Sequence, residues 1–235
     1  MSQDLGDIIN DLLAEILANK EGVDCDLCLI YLRSTAQKHL FAEKRLKSLN
    51  RKIAGYRQRC EVNQYGGITW PVTLYIEMDF DHCVLSLRSS LEHLAQLINA
   101  IVPLNLAPKR TKGKTHVTLD KVIEEINGND QLRSNEYLSS LSSFLKSEME
   151  ENWYKDFQEL RNTMAHVKFD RFPRTTLKTP ERQLLNLKFL LPSGTAKSLV
   201  TEEERDITSY CKDVIKKVES VLKESFDLLS KCHSK

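Results

Sequence analysis

Ile76, Phe80, Val84, Leu87, Leu91, Leu94, Ile98 and Ile101 follow one another at spacings of three or four residues until Pro103, which with Pro108 ends the pattern. A stripe of that period covers one face of an α-helix, and the two prolines close it because the ring removes a backbone donor and clashes with the preceding turn. Most other segments obey the same period. Ile8, Ile9, Leu12, Leu13, Ile16 and Leu17 predict a first short helix that stops at Lys20, Glu21 and Gly22. From Leu29, the positions Leu32, Ala36, Leu40, Leu46, Leu49, Ile53 and Tyr56 predict a long second helix, interrupted by no Pro and no Gly before Gly55. Its outer face carries Lys44, Arg45, Lys47, Arg51, Lys52, Arg57 and Arg59. That face reads as solvated, with a basic stripe along a phosphate backbone as the other reading.

Asn63 to Pro71, with Gly66 and Gly67, predicts a turn with a short extended piece at Ile68 to Trp70. Leu104 to His116 predicts a loop with a second basic cluster at Lys109, Arg110, Lys112 and Lys114. Short helices are expected at Leu119 to Ile126 and at Asn135 to Ser147. A further helix is expected over Glu151 to Ala165, with Trp153, Phe157, Leu160 and Met164 on one face and the acids Glu148, Glu150 and Glu151 favouring its start. Val167 to Phe172 and Leu185 to Phe189 alternate apolar with polar residues and predict a β-hairpin near 167–192. Thr201 and Glu204 have the spacing of a capping box ahead of a closing helix through Ile207, Cys211, Val214, Val218, Val221, Phe226 and Leu229. The predicted class is all-α: an antiparallel helical bundle of long amphipathic helices with one small β-hairpin. The predicted division is an N-terminal helical extension over 1–72 and a bundle over 73–235.

Composition narrows the functions open to such a chain. Lys and Arg total 34 against 33 Asp and Glu, a formal charge of +1, so the molecule as a whole does not steer towards nucleic acid or an acidic membrane, and any anion site must be local. Apolar runs are far shorter than the roughly 20 residues of a membrane span, and the acidic start of the chain does not resemble a secretion signal. A cytoplasmic protein with reduced thiols at Cys25, Cys28, Cys60, Cys83, Cys211 and Cys232 is expected, with no metal and no cofactor. Cys25 and Cys28 have half the spacing of a zinc site but no second pair. Gly113, Lys114 and Thr115 imitate a phosphate loop, yet Pro108 stands where that loop needs its first glycine. Familiar hydrolase and dinucleotide motifs are missing from the sequence.

One constellation is left. Arg161 and His166 have four residues between them, and Asn162 stands four before His166. Residues five apart on a straight helix point about 140° away from each other, so this pair converges only where the helix ends or a second copy completes the site. The same spacing at Arg88 and His93 falls inside the predicted third helix, where it cannot converge, and places His93 on that helix's outer face. His166 lies where a helix gives way to extended chain. Cleaving RNA without a metal requires a base for the 2′-hydroxyl and a cation for the charge on the phosphorane; a neutral imidazole beside a planar guanidinium supplies both. Asn162 can orient the imidazole. Lys168, Arg171 and Arg174 can hold flanking phosphates, or form the outer face of a strand. The plainer reading is that Arg161 and His166 cap a helix C-terminus, where cations are favoured.

At Arg161, Asn162 and His166 the sequence resembles the HEPN superfamily, marked by an Arg, commonly followed by Asn, and a His four to six positions on, near the end of a bundle helix. Leu87 to Leu94 also looks like the earlier helix that many members place beside the motif helix, so the resemblance spans about Leu74 to Leu229. It implies a homodimer whose paired motif helices form a cleft. In many members it implies a metal-independent endoribonuclease of toxin-antitoxin or antiviral defence systems, with Arg161, Asn162 and His166 catalytic, RNA as substrate and an antitoxin as partner. Other members are non-catalytic modules that bind RNA, nucleotide or a protein.

Overall fold

The computed structural model describes residues 3–18, 24–62, 70–102, 104, 106, 117–166, 174–178, 184–189 and 206–233. The fold is all-α. In chain order its helices are α1 (Gln3–Ala18), α2 (Cys25–Val62), α3 (Trp70–Ile101), α4 (Leu119–Gly128), α5 (Asp130–Arg133), α6 (Glu136–Glu150), α7 (Asn152–His166) and α8 (Ile207–His233). Two short segments, β1 (Arg174–Lys178) and β2 (Leu184–Phe189), pair antiparallel with Arg174 opposite Phe189 and Thr176 opposite Leu187. No helix among the described residues is long and apolar enough to cross a membrane. The stripe of α3 is buried at every position from Ile76 to Ile101, and that helix ends two residues before Pro103.

The chain forms two compact units. The first comprises Met1–Leu40, Leu87–Glu151 and Lys217–Lys235. Within it, Leu5, Leu12 and Ile16 of α1 are buried, and the Cys25 thiol donates to the Ile16 carbonyl at 3.6 Å. The Ser90 hydroxyl donates to the Thr35 carbonyl at 2.9 Å, and the Tyr31 and His93 rings lie 6.4 Å apart. Four residues forward on α2 thus correspond to three backward on α3, so these stretches run antiparallel. Asn135 caps α6 by accepting from the Tyr137 and Leu138 amides at 3.0 and 3.2 Å, and Ser142 of α6 donates to Asn127 of α4 at 3.0 Å.

The second unit comprises Phe41–Ser86 and Asn152–Lys216. Here the α2–α3 pairing is fixed by charge. Asp79 is 1% exposed; one carboxylate oxygen accepts from Arg45 Nη1 at 3.2 Å and the other meets Lys52 Nζ at 2.5 Å. Lys52 also donates to the Tyr75 carbonyl at 3.2 Å and sits 5.5 Å from that ring. Burial alone would push the Asp79 carboxyl up; hydrogen bonds from Lys52 and Ser48, the Lys52 charge and Arg45 outweigh it and hold the carboxyl below its usual range. Arg45 and Lys52 are therefore counter-ions of a buried acid, and only part of the basic face of α2 is simply solvated. Phe80 packs 6.3 Å from the Tyr210 ring of α8, and the Cys83 and Cys211 thiols are hydrogen-bonded and fully buried.

Several boundaries differ from expectation. Trp70 and Pro71 open α3 instead of closing a turn, because proline in a first helical turn gives up an N–H that has no partner there anyway. Glu148 and Glu150 end α6 and do not precede α7; the break is Glu151 alone, where ψ turns to 145°. The closing helix begins at Ile207 behind Asp206, whose carboxylate accepts from the Thr208 hydroxyl; Thr201 and Glu204 lie outside the described residues. So do the basic loop cluster and the expected strand at Val167 to Phe172. The described cysteines Cys25, Cys28, Cys83, Cys211 and Cys232 are free thiols, and burial, then the neighbouring Cys25 and Asp24, push Cys28 up to about 11.

The Asp79 cluster makes an asymmetric prediction. Asp79→Asn leaves two half-exposed cations that water can solvate, and should cost about 1–2 kcal/mol. Arg45→Ala with Lys52→Ala strands a buried carboxylate and should cost about 3 kcal/mol or more at neutral pH. Because the folded-state pKa is depressed, this stability is present above the unfolded value near 3.8 and is lost as pH falls through the lower folded value. Urea unfolding from pH 7 down to pH 2 measures both effects.

Candidate functional site

α7 belongs to the second unit and is anchored by an aromatic face. Trp153, Tyr154, Phe157 and Leu160 are all buried, with the Trp153 ring 5.6 Å from Tyr154 and 6.5 Å from Phe157. Tyr154 was not part of the expected face, and Met164's side chain lies outside the described residues. Arg161 follows Leu160 and is about 40° from Phe157 around the helix, so it emerges at the edge of this core, half-buried, while Asn162 is exposed.

Arg161 and Asn162 are brought together: Arg161 Nη1 donates to Asn162 Oδ1 at 3.1 Å. A guanidinium only donates, so the amide must turn its oxygen towards Arg161, which leaves its NH2 pointing elsewhere. Arg161 Nε is buried and has no hydrogen-bond acceptor among the described residues, nor does any acid among them pair with this guanidinium. Leaving a charged donor buried without an acceptor is costly, which makes this N–H a place for an anion or another acceptor.

His166 is the last residue of α7, at the point where the expected convergence requires the helix to end. Its side chain lies outside the described residues, as do Lys168 and Arg171. Arg174 opens β1, and its backbone alone is described.

The second Arg-His pair is built differently. Arg88 Nε donates to Glu92 at 3.0 Å, so its charge is matched on its own helix. His93 Nδ1 lies 2.6 Å from the Ser89 carbonyl, which can only accept, so the imidazole proton is on Nδ1. His93 is half-buried against Tyr31 and not on the outer face, because the flank of α3 that carries it is the one α2 covers. No family model, curated protein or solved structure matches this chain.

If Arg161 Nε has no acceptor in the folded protein, an apolar side chain of similar length removes a penalty. Arg161→Met is then expected to hold the melting temperature or raise it by up to about 4 °C. A fall of more than about 4 °C by calorimetry would mean that the folded chain already supplies the acceptor.

Proposed function

We propose that this chain is a HEPN-like protein: an antiparallel bundle with a small β-hairpin after the motif helix, acting as a cytoplasmic homodimeric, metal-independent endoribonuclease on single-stranded RNA. What supports the reading is Arg161, a half-buried guanidinium whose buried Nε–H has no acceptor among the described residues, bonded to Asn162 one turn before His166, the last residue of α7. In this mechanism Arg161 binds the scissile phosphate and stabilises the charge that grows on it. His166 takes the proton from the 2′-hydroxyl, whose oxygen bonds to the adjacent phosphorus as the P–O5′ bond breaks, and the 5′-oxygen leaves as a hydroxyl on taking a proton from water. Asn162 braces the guanidinium through its oxygen; its NH2 cannot serve the imidazole, whose second nitrogen carries a proton and needs an acceptor while the first acts as base. Lys168, Arg171 and Arg174 hold neighbouring phosphates. An antitoxin partner in a toxin-antitoxin or antiviral system would keep such an activity in check.

The purified protein should cut single-stranded RNA in the presence of a chelator and leave 2′,3′-cyclic phosphate ends. His166→Ala and Arg161→Ala should each lower the rate about a hundredfold or more at equal folded content. Cleavage that survives His166→Ala, or that vanishes only with the chelator, would overturn the assignment. A wild type that binds RNA without cutting it, and loses that binding with Arg161→Ala, would mark a non-catalytic RNA-binding module.

A further inference from the structure

The second unit leaves an apolar stripe uncovered. Leu74, Met78 and Leu85 of α3 are 39, 42 and 42% exposed and lie within about 40° of one another around the helix, opposite its buried face. Phe41 of α2, 49% exposed, extends the stripe, since the antiparallel pairing set by Arg45 with Asp79 puts Phe41 near the height of Leu85. Large apolar side chains gathered on one face of a folded unit mark an interaction surface.

Charge on this face is divided between its two edges. On the α3 edge, Asp81 is half-buried within the stripe, and no Lys or Arg pairs with it among the described residues. Burial, then the Glu77 charge, push its carboxyl up to about 6, with only His82 acting in the other direction. On the α2 edge, Lys44 is exposed, lies 5.9 Å from the Phe41 ring and pairs with no acid among the described residues. Lys44 precedes Arg45 on α2 and Asp81 follows Asp79 on α3, so in the antiparallel pair the two stand at about the same height. A two-fold axis parallel to the helices keeps height and exchanges edges, laying the α2 edge of one copy over the α3 edge of the other. We propose that this α2–α3 face docks a second copy of the chain about such an axis, each Lys44 meeting the other copy's Asp81 across a seam of Phe41, Leu74, Met78 and Leu85. The inference does not rest on the ribonuclease reading.

Sedimentation velocity across a concentration series tests it on the full chain. The wild type should dimerise at micromolar concentration, and Met78→Glu should weaken the dimer about a hundredfold. Lys44→Glu and Asp81→Lys should each weaken it about tenfold at equal folded content. Mixing these two variants should restore it, because the mixed dimer carries one wild-type pair and one reversed pair. A monomeric wild type, a dimer indifferent to Met78→Glu, or single variants that fail to recover on mixing would each overturn the proposal. A dimer that persists in Met78→Glu leaves the ribonuclease reading standing, whereas monomeric variants that still cleave RNA would sink the composite site and keep this interface.

Discussion

A carboxylate held at 1% exposure between two helices must find its compensating charge within hydrogen-bond reach, and Asp79 finds it on α2. That requirement does more than remove a penalty. Apolar side chains tolerate sliding by a turn at modest cost, whereas a buried ion cannot move away from its counter-ions. With Arg45 and Lys52 set against one acid, the register of α2 on α3 in the second unit is determined. The heights of Phe41, Lys44, Asp81 and Leu85 follow from it, and with them the pattern of the face that this helix pair presents outward.

How much of this was legible in the sequence depended on the kind of physics involved. The stripe from Ile76 to Ile101 and its end before Pro103 could be read directly, because helical period and proline sterics are local. The all-α class followed from the same periodicity. Trp70 and Pro71 differ from expectation because a proline four residues after a pair of glycines looks like the close of a turn, yet the same ring is well suited to a first helical turn. Asp79 gave a signal in retrospect, an acid next to Phe80 within an apolar stripe, but nothing local tells which of the nine cations on α2 will answer it. His93 shows the limit from the other side: the period gives its angle on α3, and only the tertiary pairing reveals that Tyr31 covers that angle.

At the candidate site, the pattern of Arg161, Asn162 and His166 was visible as spacing, and so was the need for the helix to end. Invisible were the burial of Arg161 Nε and the bond from its Nη1 to Asn162, which depend on side-chain geometry that spacing does not give. Spacing gave Arg88 and His93 equal standing. The difference lies in what surrounds each arginine: Glu92 satisfies Arg88, while Arg161 keeps a buried donor open among the described residues.

That open donor is the centre of the functional reading, and its Nε–H resonance reports on it directly. Single-stranded RNA carrying 2′-O-methyl groups retains its phosphates but has no free 2′-hydroxyl to attack with, so it binds without being cut. Titrating such an RNA into 15N-labelled protein should move the Arg161 Nε–H signal downfield, as a charge-assisted bond to phosphate forms, and leave that of Arg88 in place. Saturable RNA binding with an unmoved Arg161 signal would contradict the assignment of this residue to the phosphate.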